Sequence, residues 1–213
     1  PNLHLAHHTL AHFHLEQKDF DNALKAAEAY RDRYPDNAAP YNLIGRILLV
    51  SGQTTDATQA FTRAREIAPG DPEANHGLAA LAAKKTAYQE VRGYYQDVLQ
   101  HHENHLSTLL RLAALDMMEN KEQAMFGHLE QAAEAHPKAV YPKILLARYY
   151  LSKGKPEKVS ALMFDLSREQ KLTPDVLHLT ALSQLAQKQY PEAKNSLNEL
   201  IGQLPNSAEA HFL

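Results

Sequence analysis

The chain of 213 residues contains no cysteine. This absence excludes disulfides, thiolate metal sites and cysteine nucleophiles. No apolar run approaches the roughly 18 residues that a membrane-spanning helix requires, so we expect no direct membrane insertion by this segment. Charges of both signs are mixed along the chain, the formal net charge is −3 at pH 7, and no basic block stands out. A nucleic-acid partner is therefore not expected.

The usual sequence signatures of catalysis are also missing. There is no glycine-rich phosphate loop, no nucleophile elbow and no His-Glu-x-x-His zinc helix. The closely spaced acidic pairs Asp19/Asp21 and Glu119/Glu122 lie where helices are expected to begin, so helix capping explains them. We therefore predict no catalytic residue, no cofactor and no enzymatic activity.

The most informative feature that is present is a repeat. Proline occurs at intervals of 34 residues or multiples of 34, at Pro1, Pro35, Pro69, Pro137 and Pro205. A fixed period of this length indicates stacked copies of one small unit rather than a single globular core. Alanine and leucine dominate the composition and β-branched residues are few, which favours helix.

The period predicts a single array over residues 1–213. Its six full repeats are residues 4–37, 38–71, 72–105, 106–139, 140–173 and 174–207, with partial repeats at both ends. Because both ends cut through a repeat, we expect this sequence to be a fragment of a longer chain. The position of a residue within its 34-residue repeat is called its slot.

Several slots carry the same kind of side chain in every copy. The eighth slot is always small, in Ala11, Gly45, Ala79, Ala113, Ala147 and Ala181. A small residue there allows two helices to approach closely. Slots 20, 24 and 27 are mainly apolar, and spacings of four and three residues place them on one helical face. Each repeat is therefore predicted to contain two helices of about 14 residues, joined by short turns that carry glycine or proline.

These slots resemble the pattern of the tetratricopeptide repeat (TPR) family, most closely in the second repeat. The matching residues there are Tyr41, Ile44-Gly45, Leu48, Ala57, Phe61, Ala64 and Pro69. The resemblance implies an all-α fold, a right-handed α-solenoid of stacked antiparallel helix pairs (a TPR superhelix) with the first helices on its concave side. The fourth repeat departs most, because Asp116 fills the usual tyrosine slot and Met125 the usual alanine slot. We expect looser packing in that repeat.

One face of each first helix is a candidate binding surface. Slots 2, 5, 9 and 12 lie on a face other than the one packed by slots 7 and 8. Partner-binding residues are predicted on this face at His8, His12, Asn42, Arg46, His76, Leu110, Tyr141, Ile144, Arg148 and His178. Arg46 and Arg148 are the sharpest candidates, because a guanidinium can form a forked contact with a carboxylate. The simpler alternative is that many of these are ordinary side chains on a hydrated surface.

The first repeat is rich in histidine. His8 and His12 lie one helical turn apart, a spacing that can chelate a divalent ion. However, the neighbouring His7 and His14 fall in packing slots, which divides the cluster between two faces. We therefore predict no functional metal site.

The leading interpretation is a non-enzymatic scaffold that binds a protein ligand, either an extended peptide or a partner helix, in its concave groove. The alternative is a substrate-presenting or carbohydrate-binding arm of a glycosyltransferase or polysaccharide-export protein. In the carbohydrate version Tyr141, Tyr149 and Tyr150 would be stacking platforms, whereas packing is their simpler role.

A narrower resemblance concerns the cellular setting. The segments 146–156, 174–193 and 204–211 look like those of long bacterial TPR lipoproteins that accompany exosortase (PEP-CTERM) sorting and exopolysaccharide export. The resemblance implies a lipid-anchored protein on the periplasmic side of the bacterial envelope. The sequence itself determines neither compartment nor oligomeric state.

Overall fold

A computed structural model describes the backbone of residues 3–203 and the side chains of residues 5–203. Within these residues the secondary structure consists of thirteen helices and no strand. The helices are α1 Leu3–Glu16, α2 Phe20–Arg33, α3 Ala38–Val50, α4 Thr54–Ile67, α5 Pro72–Lys84, α6 Tyr88–His101, α7 Leu106–Met118, α8 Glu122–Ala135, α9 Val140–Ser152, α10 Pro156–Phe164, α11 Arg168–Lys171, α12 Pro174–Ala186 and α13 Tyr190–Gln203. The predicted all-α fold class is confirmed.

The helices form pairs that follow the 34-residue period. First helices begin at Ala38, Pro72, Leu106, Val140 and Pro174. The two helices of the first, second, third, fifth and sixth repeats pack against each other, as α3 does with α4. Within each unit a second helix also packs on the next first helix, as α2 does on α3 and α8 on α9. Stacking of this kind is the arrangement of an α-solenoid.

The chain divides into two compact units, Pro1–Leu115 and Asp116–Leu213, and the division falls within α7. In the first unit, the ring of Phe61 fills the space beside two glycines. A Cβ atom added at Gly45 would lie 2.8 Å from that ring, and one at Gly77 would lie 2.5 Å from it. Since real Cβ contacts are not this short, the eighth slot must stay small here for α3 and α4 to pack. In the second unit, Val159 and Met163 belong to a comparable buried cluster.

Every first helix ends in the same backbone motif. The fifteenth slot has positive φ in all six repeats, at Lys18, Gly52, Thr86, Asn120, Gly154 and Lys188. The next residue donates its backbone N–H to the carbonyl five residues before it, for example Gln53 to Leu48 at 2.9 Å and Ala87 to Ala82 at 3.1 Å. This is the Schellman arrangement, which satisfies carbonyls at a helix end. Glycine suits the conformation, but four of the six repeats adopt it without glycine.

The prediction of a continuous second helix is wrong for the fifth repeat. α10 ends at Phe164 and the separate short helix α11 begins at Arg168. Ser167 starts α11 with a capping box, in which its hydroxyl accepts the Gln170 N–H and its own N–H donates to the Gln170 side chain. The ammonium of Lys171 donates to the Phe164 carbonyl at 2.6 Å, which satisfies the end of α10. Local capping therefore interrupts the helix.

The eleventh slot of the fourth repeat holds a buried aspartate that is hydrogen-bonded to a histidine. Asp116 is completely buried, and His128 Nδ1 donates to its carboxylate at 2.8 Å. His128 is in slot 23 of the same repeat. In the sixth repeat the same two slots hold Gln184 and Ser196, whose hydroxyl donates to the Gln184 carbonyl at 2.9 Å. In these two repeats the polar residue at slot 11 is thus matched by a polar residue at slot 23.

Candidate functional site

The predicted face of the first helices is only partly open to solvent. Slot 2 is exposed in all six repeats, and slot 9 is exposed or half-exposed in each of them. Slot 5, in contrast, is buried or half-buried throughout. The surface that a partner can reach is therefore carried by slots 2 and 9, while slot 5 lies in the seam between neighbouring repeats.

Two of the predicted partner-binding residues lie inside the packing. Asn42 is 2% exposed, and its amide donates to the carboxylate of Asp71 at 2.8 Å. The same Asp71 oxygen caps α5 by accepting the Ala74 N–H at 2.8 Å. Ile144 is 7% exposed and belongs to the buried cluster of the second unit. These two side chains lie below the exposed surface and are not accessible to a partner.

His76 also uses its ring within the seam. Its Nε2 lies 2.7 Å from the hydroxyl of the fully buried Thr108, and His105 Nδ1 lies 2.8 Å from the same hydroxyl. A hydroxyl has one proton, so Thr108 donates to one imidazole and accepts from the other. Burial lowers the pKa of His76 to about 4, and the nearby Arg111 and His105 add to the effect. His76 is therefore neutral near pH 7.

The two arginines singled out by the sequence occupy equivalent ion pairs. Arg46 Nη1 lies 3.2 Å from Glu73 Oε1 in the first unit. Arg148 Nη2 lies 3.2 Å from Asp175 Oδ1 in the second unit. In both pairs an arginine at slot 9 meets an acid at slot 2 of the next repeat. The pairs join consecutive first helices across their open surface.

The remaining predicted residues vary in exposure. His8 is half-buried, and its ring lies 6.5 Å from that of His12, which is exposed and pairs with Glu16 at 3.5 Å. Leu110 and His178 are half-buried. The Tyr141 ring is 59% exposed. Among the described residues, no group of three or more histidine, aspartate or glutamate side chains is arranged to hold a metal ion.

The other two candidate tyrosines are engaged in packing. The Tyr149 hydroxyl donates to Glu122 at 2.8 Å, and Lys153 Nζ lies 2.7 Å from the same carboxylate. These two contacts lower the pKa of the Glu122 carboxyl, and the bond to Glu122 raises the pKa of the Tyr149 hydroxyl. Phe126 stacks near both tyrosines, with ring centroids 5.0 Å from Tyr149 and 5.8 Å from Tyr150. Neither ring is a free platform for a sugar.

The sequence did not identify the acidic partners of the two arginines. Glu73 and Asp175 lie in the first turns of α5 and α12, where acids complement the helix dipole. Their common slot, 102 residues apart, is the signal that could have revealed them. Exposed ion pairs contribute little to stability, so a ligand carboxylate can replace the intramolecular acid on the guanidinium at small cost. The arrangement is thus suited to polar recognition.

Sequence comparison supports the repeat assignment. Models of the tetratricopeptide repeat match residues 8–72 and 175–207. The protein CTR9 homolog of Arabidopsis thaliana is 25% identical over 144 residues, which are 66% of this chain and 13% of that protein. The peroxisomal targeting signal receptor of Saccharomyces cerevisiae is 29% identical over 85 residues, 40% of this chain and 14% of that protein. The chain spans only a small part of the length of these relatives.

Comparison of structures supports the same fold. PilW, a type IV pilus biogenesis factor, superposes with a TM-score of 0.68 at 17% identity, covering 100% of this chain and 98% of PilW. PilF of Pseudomonas aeruginosa gives 0.73 at 10% identity, with coverage of 98% and 95%. YrrB, a TPR protein with an unusual peptide-binding site, gives 0.65 at 13% identity, with coverage of 89% and 97%. Within the described residues, no helix has the length and apolar character needed to cross a membrane.

Proposed function

Because the chain carries tetratricopeptide repeats, we propose that it is a non-enzymatic scaffold that binds an extended peptide or a partner helix on the exposed surface of its first helices. The observation that carries this proposal is the recurrence of one ion pair. Arg46–Glu73 and Arg148–Asp175 place a guanidinium and a carboxylate at the same slots of two repeats, three repeats apart. Each pair is open to solvent on the first-helix surface of its own unit.

The chemistry of the pairs favours a ligand with carboxylates or free backbone carbonyls. A guanidinium offers five N–H donors in a fixed plane and can keep one acceptor while it takes another. Arg148 is 60% exposed at its side chain and Arg46 is 36% exposed, so both have donors that reach solvent. The ordered helix pairs reduce the entropy that the protein loses when a ligand binds.

A phage-displayed library of random peptides tests the proposal. Peptides selected on the wild-type protein should bind the Arg46→Ala, Arg148→Ala double variant about tenfold more weakly in calorimetric titration, because hydrogen bonds to charged groups are worth roughly 1.5–3 kcal/mol. The matched control is Arg33→Ala with Arg168→Ala, which removes two exposed arginines outside the first helices. Equal affinity of both double variants would exclude the first-helix surface as the binding site.

We also propose a setting at the bacterial cell envelope, within exopolysaccharide export or protein sorting. Its support is the resemblance of residues 146–156, 174–193 and 204–211 to lipoproteins of exosortase systems.

Among the carbohydrate-binding candidates of the alternative function, Tyr141 is the one with an exposed ring. A glycan array distinguishes the two functions, since binding that is lost in Tyr141→Ala and retained in the arginine double variant would favour the carbohydrate-binding arm.

A further inference from the structure

The seam between α5 and α7 in the first unit contains one hydroxyl that two imidazoles share. The hydroxyl of Thr108, in the first turn of α7, lies 2.7 Å from His76 Nε2 and 2.8 Å from His105 Nδ1. Thr108 is fully buried, and the two ring centroids are 5.7 Å apart. His76 is on α5, so its contact with Thr108 connects the first helices of the third and fourth repeats.

The hydrogen bonds of this contact limit how many protons the rings can carry. A neutral imidazole has one N–H donor and one bare nitrogen, so the hydroxyl accepts from one ring and donates to the other. One added proton still leaves a bare nitrogen for the hydroxyl proton. When both rings are protonated, both donate to the same oxygen and the hydroxyl proton loses its acceptor. A buried polar group without a partner is costly, so the doubly protonated contact is unfavourable.

The surroundings of the two rings disfavour positive charge. The titratable and charged groups on the elements around them are Asp71 before α5, Tyr95 on α6, His102 after α6, Arg111 on α7 and the Arg46–Glu73 pair between α3 and α5. The first turn of α7 adds its backbone N–H groups, which are the positive end of a helix. Burial lowers the pKa of His76 to about 4, Arg111 and His105 add to the effect, and Asp71 opposes it. Even the first proton is therefore disfavoured while the seam is closed.

Apolar packing also holds this seam, and it does not titrate. Leu112 and Leu115 of α7 belong to one buried cluster with Ala79 and Ala82 of α5. Acid therefore acts on the seam through the histidines. Residues 106–115 are also the last segment of the first unit, so their release from α5 leaves the contacts among α1, α2, α3 and α4 in place. Local openings of this kind require less free energy than the unfolding of a whole unit.

We propose that His76, Thr108 and His105 form an acid-sensitive joint, in which proton uptake by the imidazoles opens the seam between α5 and α7 while the helices before α5 stay folded. In the open state the rings reach water, where they carry positive charge at lower cost. Acid therefore favours the open state, and a return to neutral pH restores the shared hydroxyl. The joint belongs to the fold of the first unit and does not depend on whether a partner binds the first-helix surface.

Native-state amide hydrogen exchange at pH 7 and pH 5, read by NMR in low concentrations of urea, tests the proposal. Protection factors are corrected for the intrinsic exchange rate at each pH. At pH 5 the amides of residues 109–115 should exchange through an opening that depends weakly on urea, because a local opening exposes little surface. Their protection should be about twentyfold lower than at pH 7, as a His76 pKa of about 4 in the closed seam and 6.5 in the open seam requires.

The amides of residues 43–48 in α3 provide the internal reference, because they should exchange only when the whole unit unfolds. If residues 109–115 show the same protection and the same urea dependence as this reference at pH 5, the seam does not open separately and the proposal is overturned.

A pair of variants assigns the effect to His76. His76→Gln keeps a hydrogen-bonding side chain beside Thr108 but takes up no proton, so the loss of protection at residues 109–115 between pH 7 and pH 5 should largely disappear. The matched control is His12→Gln, which removes an exposed histidine from α1 of the same unit and should keep the wild-type loss. A wild-type loss in His76→Gln would also overturn the proposal.

Discussion

Arg148 on α9 and Asp175 on α12 form an ion pair of 3.2 Å that connects the exposed surfaces of two consecutive first helices. Both side chains are more than half exposed, at 60% and 63%. An ion pair so open to water and salt contributes little to the stability of the fold. Because it lies on the proposed binding surface, we expect its main role to be in ligand binding.

The Asp175→Asn variant should separate stability from binding. Removal of this carboxylate should change the free energy of unfolding by less than about 1 kcal/mol, the usual limit for an exposed pair. The freed guanidinium of Arg148 should bind a carboxylate-bearing selected peptide more tightly than before. Urea denaturation and calorimetric titration measure the two quantities. A loss of stability well above this limit, with no gain in affinity, would show that the pair serves to hold the repeats together.

Glycine at position 86, in the turn after α5, should stabilise the protein. Thr86 has a φ of 56°, a conformation that costs a β-branched residue roughly 1–2 kcal/mol. Glycine removes this cost, but its greater freedom in the unfolded chain offsets part of the gain in stability. Thr86→Gly should therefore raise the free energy of unfolding by about 1 kcal/mol in urea denaturation.

The reverse change at the same slot of the second repeat provides the control. Gly52 has a φ of 86°, and Gly52→Ala should destabilise the protein by a similar amount. A Thr86→Gly protein less stable than wild type would indicate that the hydrogen bond from the Thr86 hydroxyl to the Lys85 carbonyl, 2.7 Å long, outweighs the backbone strain.

Breaking the buried contact between Asp116 and His128 in the fourth repeat should destabilise the protein. In the His128→Ala variant the Asp116 carboxylate stays fully buried but loses its imidazole donor, so we expect a loss of about 2 kcal/mol or more in the free energy of unfolding. The double variant Asp116→Leu, His128→Ala reproduces the apolar pair Leu48 and Ala60 of the second repeat. It should recover most of the loss, and a double variant less stable than His128→Ala would contradict this explanation.

Stability should fall with acid partly because of His76. Its pKa is about 4 in the folded protein and 6.5 in the unfolded chain, so between these values the unfolded chain takes up a proton that the folded protein refuses. The contribution of His76 is complete above pH 6.5 and is lost progressively as the pH falls toward 4. Its environment contains Arg111 and His105, which disfavour the charged ring, and Asp71, which favours it.

Comparison of variants isolates this contribution from that of the other histidines. The His76→Gln protein should lose less stability than wild type between pH 7.5 and pH 5, as measured by urea denaturation at both values. His12→Gln, which changes an exposed histidine on α1, should retain the wild-type loss. Identical pH dependence of all three proteins would show that His76 does not contribute to the loss of stability in acid.

The sequence predicted the helix pairs well because their signals are periodic and local. The small eighth slot and the placement of proline at helix ends both depend on short-range sterics, as Gly45 beside Phe61 illustrates. The turn conformation was predicted only where glycine marks it, at Gly52 and Gly154. At Lys18 and Thr86 the backbone hydrogen bonds of the helix end impose the same conformation on residues that do not favour it.

The candidate surface was less predictable, because exposure depends on the neighbouring repeat. Helical periodicity places slots 5 and 9 on one face but does not show that the next repeat covers slot 5, as it does for His76, whose ring contacts the Thr108 hydroxyl. The break between α10 and α11 was also missed, since the capping box of Ser167 competes with a helix pattern that is otherwise continuous. Pairing across repeats, as between Arg46 and Glu73, requires knowledge of the stacking geometry.

The location of a selected peptide tests the central claim most directly. In the amide NMR spectrum of the labelled protein, titration with the tightest peptide from the phage library should shift resonances of first-helix residues at slots 2 and 9, including Arg46, Glu73, Arg148 and Asp175. Shifts confined to the second helices α2, α4, α6, α8, α10, α11 and α13 would contradict the claim that the first helices bind the partner.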